Sequence, residues 1–417
     1  MNKRTFLKGS LLGLGSLASL SAIGKVAETI AQLPEAGGDS DYWASIRDGY
    51  ILKPDYINLE NGYYCIQPKY ILDRYHQHIN EVNQEGAYYM RTVQFDNKKV
   101  AAVKLAKLAG CSADELIITR NTTESLDMII SGQDWKAGDE AIMAEQDYGA
   151  MLDMFKQVAK RYGTVNKVLS LPMDPKSDEE IVKLYEQAIT PKTKLIMVCH
   201  IVNITGQILP IRKICDMAHR HNVEVMVDGA HALAHIQFNI ADLHCDYYGA
   251  SLHKWLSVPL GAGMLYVKRE HIGKVWPLFA EAGKEDNDIA RLNHTGTIPV
   301  ATDLTITDAI EYYEKIGAER KEERLRYLQN YWTDKVRDMP HVALYTPADR
   351  HRSCAIANVG IKGMKPADLA TTLLDKYGIY TVAIDTAGVH GCRITPNVFT
   401  TTQDLDQLVK ALSEIRP

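Results

Sequence analysis

The feature that most constrains the fold is a recurrence of short, almost wholly apolar runs. Each ends in polar residues, and helical patterns separate them. The runs are 115–119 (ELIIT), 141–144 (AIMA), 194–199 (KLIMVC), 223–227 (VEVMV), 245–250 (CDYYGA) and 263–267 (GMLYV). Helical periodicity lies between several of them, as in SDEEIVKLYEQAI (177–189) and ICDMAHRHN (214–222). A strand exposed on one face alternates apolar with polar residues, whereas a strand covered on both faces has no polar side to show. The pattern therefore predicts a three-layer α/β fold with a mainly parallel central sheet and helices on both faces.

The character changes after residue 302. Positions 303–339 read as one long helix rich in Glu, Lys and Arg. Beyond it come strand-like AIANVGI, helical PADLATTLLDKYG, strand-like YTVAID and a last helix opened by a cap-like Thr-Thr pair in TTQDLDQLVKALSEI. A chain of 417 residues exceeds a single small core. The expected organisation is a leader at 1–30, an N-terminal arm and large domain at 31–302, and a linking helix with a smaller C-terminal α/β domain at 303–417. The leader has Lys3, Arg4 and Lys8 before an apolar stretch, 11–24, too short to span a bilayer. It resembles a twin-arginine export signal with lysine in the first arginine position, which implies a periplasmic protein. Without a functional signal the expectation is cytoplasmic, and no stable membrane span is expected in either case.

A net charge of −5 with scattered basic residues excludes the electrostatic footprint of a nucleic-acid binder. The seven cysteines contain no C-x-x-C pair, which removes zinc-knuckle and thioredoxin patterns.

In an open parallel sheet, chemistry gathers just beyond the carboxyl ends of the strands. Five such ends carry polar or aromatic side chains here: Thr122 and Thr123; Tyr148; Asn203; Asp228 with His231; and Ser251, His253 and Lys254. The stretch VMVDGAHALAH (225–235) poses a choice of chemistry. His231 and His235 are four apart, as in a metalloprotease helix, but the intervening Ala-Leu-Ala lacks the glutamate base, and Asp228-Gly229 marks a turn. A metal is not expected, and His235 reads as a packing residue. Lys254, directly after a strand in SLHKW, suits a Schiff base with an aldehyde cofactor instead. Pyridoxal 5'-phosphate needs such a lysine, an acid for its ring nitrogen (Asp228), an anion pocket and a flat partner. A helix starting at Thr122-Thr123 offers backbone N–H groups to the phosphate, Tyr148 offers a ring to stack, and His231 reaches toward the ring hydroxyl.

At this point the residues resemble the class V aminotransferases on the fold-type I scaffold of pyridoxal-phosphate enzymes, a group that includes cysteine desulfurases, selenocysteine lyases, kynureninase and isopenicillin N epimerase. The resemblance runs from about residue 56 to the C-terminus. It is carried by INLENGYY, TRNTTESL, EQDYGAM, VNITGQILPI, VDGAHALAH, DYYGASLHKWLSVPLGAGMLYV, HTGT and GCRIT. EQDYGAM and NGYY look most like the isopenicillin N epimerase branch. The resemblance implies that Lys254 holds the cofactor covalently, Asp228 its ring nitrogen, and His231 a place beside the ring oxygen. It implies that Tyr148 stacks on the ring, and that Thr122, Thr123, Ser251 and His253 contact the phosphate. Thr297 is implied to reach the phosphate of a neighbouring subunit, which makes the active unit a homodimer. Asn203 is placed near the ring oxygen and substrate carboxylate, Arg393 on the α-carboxylate of an amino-acid substrate, and Asn61 and Gly62 at the border of the pocket.

The expected reaction is Cα deprotonation of an amino acid, with transamination as the leading outcome and epimerisation or racemisation as the alternative. Tyr148, Tyr63, Tyr64, His390 and His294 are candidates for a second proton donor. Desulfurase or selenocysteine lyase activity is less expected: AIDTAGVHGCRIT leaves little room for a cysteine-bearing loop before Arg393, and Cys392 points away from its neighbour on a strand. An exported solute-binding protein is the non-enzyme alternative, but simple binding has no use for a Schiff-base lysine.

Overall fold

The computed structural model describes residues 39–281 and 283–416, and the leader expectation for 1–30 lies outside them. Among the described residues, thirteen strands form three sheets. The main one contains β2 (Leu116–Thr119), β3 (Glu140–Ala144), β4 (Val165–Leu169), β5 (Thr193–Cys199), β6 (Glu224–Asp228), β7 (Tyr247–Ser251) and β8 (Gly263–Val267), in the order β2-β8-β7-β6-β5-β3-β4. Pairings among β4, β3, β5, β6 and β7 are parallel, and β8 runs antiparallel to both of its neighbours. Every residue of β2, β7 and β8 is buried, as continuous apolar composition requires of strands covered on both faces.

The edge strand β4 is the exception and has no counterpart in the sequence reading. Its VNKVL leaves Val165 and Val168 exposed, so it lacks the unbroken apolar run that marks its neighbours.

A second sheet has the order β12-β13-β10-β9, from β9 (Val342–Leu344), β10 (Ala357–Ile361), β12 (Val382–Thr386) and β13 (Val389–Ile394), all antiparallel. The N-terminal part of the chain reaches this region: β1 (Ile57–Asn58) pairs with β11 (Ile379–Tyr380), and Glu60 bridges to Thr395. That crossing brings residues 59–62 against the end of β13.

The long helix expected at 303–339 is two helices. The first is Val300–Ile316 and the second Ala318–Val336, divided at Gly317. Gly317 has φ +91°, which side-chain-bearing residues rarely adopt, so the glycine permits the break that the charge pattern alone conceals. The last helix, Thr402–Glu414, starts as its sequence suggests: Thr401 and Asp404 form a reciprocal capping box. Among the described residues, no helix is long and apolar enough to cross a membrane.

Candidate active site

The carboxyl ends of the parallel strands converge on a cavity of about 180 Å³. Its lining includes Thr122 and Thr123 after β2, Tyr148 after β3, Asn203 after β5, Asp228 and His231 after β6, and Ser251, His253 and Lys254 after β7. Gly62 and Arg393 close it from the side of the second sheet. A larger depression of about 960 Å³ lies beside Trp43, Arg324 and Phe399, but no lysine–aspartate pair lines it.

Lys254 contributes an amine to the cavity lining. Burial in the cavity wall works against its charge, Asp228 partly restores it, and Arg393 opposes it again; the net result is an amine lowered to about 8. Each pKa unit is worth about 1.4 kcal/mol, so protonating this amine at a given pH costs roughly 3 kcal/mol more than protonating a solvated lysine. Nζ lies 2.9 Å from His231 Nε2. The other ring nitrogen, Nδ1, accepts a 3.4 Å hydrogen bond from the Trp255 indole N–H, which can only donate. That assigns the ring proton of a neutral His231 to Nε2, which can donate to Lys254 only when the amine is unprotonated. Burial, followed by the Lys254 and Arg393 charges, holds His231 well below its usual range and favours this neutral form.

Asp228 is buried, and one carboxylate oxygen accepts the Ala230 N–H at 3.0 Å. Burial raises its pKa, partly offset by Ala230 and Lys254. His235, expected to be a packing residue, is one: it donates to the His231 carbonyl at 2.7 Å, accepts the Ala355 N–H at 2.9 Å, and stacks on Trp255 with centroids 3.8 Å apart.

Another part of the lining presents N–H and O–H groups suited to an anion. Helix α1 (Thr122–Gly132) begins there, with Asn121 as N-cap accepting the Glu124 N–H at 2.9 Å. Ser251 Oγ accepts the Thr122 N–H at 3.0 Å and lies 2.7 Å from the Thr122 hydroxyl. The Thr123 N–H has no intrahelical partner, as for any residue in a first helical turn. The close approach depends on Gly263, where an added Cβ would lie 2.6 Å from Asn121 Cα. His253 adds a neutral ring, lowered to about 4 chiefly by burial, whose Nδ1 is buried without a partner.

The remaining expected residues separate into two groups. Tyr148, just ahead of α2 (Gly149–Tyr162), and Asn203 line the cavity. Asn61 does not: it is fully buried, donates to the Thr395 carbonyl at 2.7 Å, and holds its neighbour Gly62 at the wall. Thr297 is exposed and outside the lining, so this protomer's own cavity does not receive it. Of the candidate second proton donors, Tyr63 and Tyr148 line the cavity. His390 is paired with Asp385 at 2.6 Å and His294 with Glu281 at 3.2 Å, and neither they nor Tyr64 line it. Cys392 is buried among apolar side chains, whereas the next residue, Arg393, faces the cavity.

Sequence reasoning missed Glu60, Asp147 and Cys199. Glu60 is hidden inside a strand-like stretch and pairs with Arg393. Asp147 is fully buried beside Cys199 and is pushed up to about 7, mainly by burial. The Cys199 thiol lines the cavity but is held well above the ordinary range by burial, then by Asp147 and Asp228.

A half-buried lysine sharing a cavity with a buried aspartate, near a helix N-terminus flanked by hydroxyls, is the arrangement of a fold-type I pyridoxal-phosphate enzyme. The chain belongs to the aminotransferase class-V family, whose model matches residues 67–409. It is 28% identical over 371 residues to a probable cysteine desulfurase of Halalkalibacterium halodurans, covering 83% of this chain and 88% of that protein. It is 26% identical over 398 residues to the isopenicillin N epimerase of Amycolatopsis lactamdurans, covering 89% and 98%. The fold matches the apo cysteine desulfurase of Thermococcus onnurineus NA1 with TM-score 0.79 at 20% identity, covering 91% and 98%. It matches the cysteine desulfurase CsdA of Escherichia coli with TM-score 0.76 at 24% identity, covering 89% and 97%. The cofactor is pyridoxal 5'-phosphate, and the site fits it: the unpartnered His253 Nδ1 and the Thr123 N–H border the anion cup, with Lys254 and Asp228 beyond.

In the cofactor-free protein, acylation of Lys254 Nζ by a small reagent should rise to half its maximum near pH 8, against about 10.4 for solvated lysines. Asp228→Asn should lower that midpoint further, because the carboxylate favours the charged amine. Mass-spectrometric labelling rates across pH check both; a Lys254 midpoint above pH 10 would refute the account of its burial.

Proposed function

We propose that the protein acts on an α-amino acid by removing and returning its Cα proton, with aminotransfer as the overall reaction. Bound pyridoxal phosphate supplies an aldehyde that condenses with amines and a ring that accepts an electron pair. The chain supplies the rest. The α1 N-terminus, Thr122, Thr123 and Ser251 anchor the phosphate end. Asp228 would sit against the ring nitrogen and stabilise positive charge there. Lys254 would hold the aldehyde, and its amine, lowered to about 8, would become available to take a Cα proton as pH rises through that value. Neutral His231, 2.9 Å from Nζ, orients that amine. Arg393 receives the substrate carboxylate.

The observation that carries this reading is the lowered Lys254 amine in a cavity shared with Asp228 and Arg393. Transfer of cysteine sulfur onto a protein thiol is disfavoured, because it needs an enzyme thiolate to attack the substrate sulfur. Cys199 is the cysteine that lines the cavity, and its environment keeps it protonated.

Epimerisation is the second reading. It is supported by the isopenicillin N epimerase relative, which this chain covers almost end to end, and by Tyr63 and Tyr148 at the cavity wall as donors for the opposite face of Cα.

The active unit is proposed to be a homodimer. Thr297 is exposed, and apolar Phe95, Val100 and Val103 are 75%, 55% and 49% exposed on the Gln94–Ala109 helix. Sedimentation of the purified protein should give twice the 46.7 kDa chain mass; a monomer that turns over substrate would refute this.

A panel of L-amino acids in D2O tests the reaction. For at least one of them the protein should exchange the Cα proton and form the keto acid, and Lys254→Ala should lower exchange by at least about a thousandfold. D-isomer in place of keto acid would select the epimerase reading. Released sulfide with alanine, and neither keto acid nor D-isomer, would overturn both.

A further inference from the structure

Arg393 does not present a free guanidinium to the cavity. Its Nε donates to Glu60 Oε2 at 3.1 Å and its Nη2 to Glu60 Oε1 at 2.5 Å, while Nη1 donates to the Asn203 carbonyl at 3.2 Å. Three of the five N–H groups are thereby taken, and one remains on each terminal nitrogen among the described residues. That is the number a bidentate carboxylate requires. The side-on edge of the fork is thus closed by protein, and what is left belongs to the terminal nitrogens.

Glu60 is itself fixed. Both partners are buried, with side chains 8% and 5% exposed. Oε1 also accepts the Tyr63 N–H at 2.8 Å, and the Glu60 N–H is tied to Asn58 Oδ1 at 3.1 Å. The Thr395 hydroxyl accepts the Asn61 and Gly62 N–H groups, the latter at 3.1 Å, and donates to the Leu59 carbonyl at 3.2 Å, locking residues 59–62 onto the end of β13. Gly62 then packs on the guanidinium plane: an added Cβ would lie 2.8 Å from Cζ. A flexible arginine has many rotamers, and this frame leaves it little choice of orientation.

We propose that Glu60 is the positioning residue for Arg393: by occupying the side-on edge it holds the terminal nitrogens toward the cavity and so sets recognition of the substrate carboxylate. The inference rests on the proposed role of Arg393 as that clamp. Glu60 also offsets the arginine's buried charge, so the pair remains paired when substrate leaves.

Binding of butanoate and of butanamide to the holoenzyme, measured by calorimetry, tests this without turnover. Glu60→Ala should weaken butanoate at least about tenfold, Glu60→Gln should weaken it less, and butanamide should be unaffected in both. The visible absorbance of the bound cofactor should be unchanged, showing an intact site. If Arg393→Ala abolishes butanoate binding but both Glu60 variants bind it as tightly as the unmodified protein, or more tightly, the positioning role is overturned while the clamp stands. If the unmodified protein does not distinguish butanoate from butanamide, or Arg393→Ala leaves butanoate binding unchanged, the clamp reading fails and this proposal fails with it.

Discussion

The structure depends on keeping one amine both buried and chemically available. Lys254 follows the fully buried strand β7, and the loss of hydration there lowers its pKa more than Asp228 can restore. The attraction of Asp228 opposes this loss without cancelling it, and desolvation decides the direction of the shift. The rest of the site follows from that balance. Asp228 must be near enough to prevent complete loss of the proton's affinity, and Arg393 sits on the far side as a second positive charge. His231 is held neutral, so that it adds a hydrogen bond to the amine and no further repulsion.

The sheet explains how these groups meet. Parallel strands present all their carboxyl ends to one rim, and the register pairs Cys199 with Asp228 and Asp228 with Gly249, so neighbouring strand ends lie level. The N-terminus of α1 faces the same rim because β2 enters beside the antiparallel β8. The anion cup and the amine therefore lie on one surface, although they are about 130 residues apart in the chain, as the Thr122–Ser251 contact shows. The second sheet contributes through one side chain, Arg393, and through the segment 59–62 that is stitched to it.

Most of this was legible in the sequence for a physical reason. A strand buried on both faces cannot carry polar residues until it ends, so the first polar residues after an apolar run mark the rim. Asp228, Lys254 and Thr122 stand out on that rule. Residues that act through others do not. Glu60 reads as an ordinary acid in an extended segment until its partner, 333 residues away, is seen beside it. Asn61 has the right neighbourhood but spends its amide on Thr395, and Thr297 is absent from a cavity built by a single protomer. The single long helix expected after residue 302 failed at Gly317, because composition reports helix propensity and says nothing of a backbone turn. Edge strand β4 escaped because solvent on one side relaxes the composition that identifies its buried neighbours.

The central claim is that the amine of Lys254 holds the aldehyde. Incubation with pyridoxal 5'-phosphate, borohydride reduction and peptide mapping tests it directly. The account predicts one stable adduct per chain, on the peptide carrying Lys254, and its absence in Lys254→Ala. A stoichiometric adduct on any other lysine, with Lys254 unmodified, would contradict it.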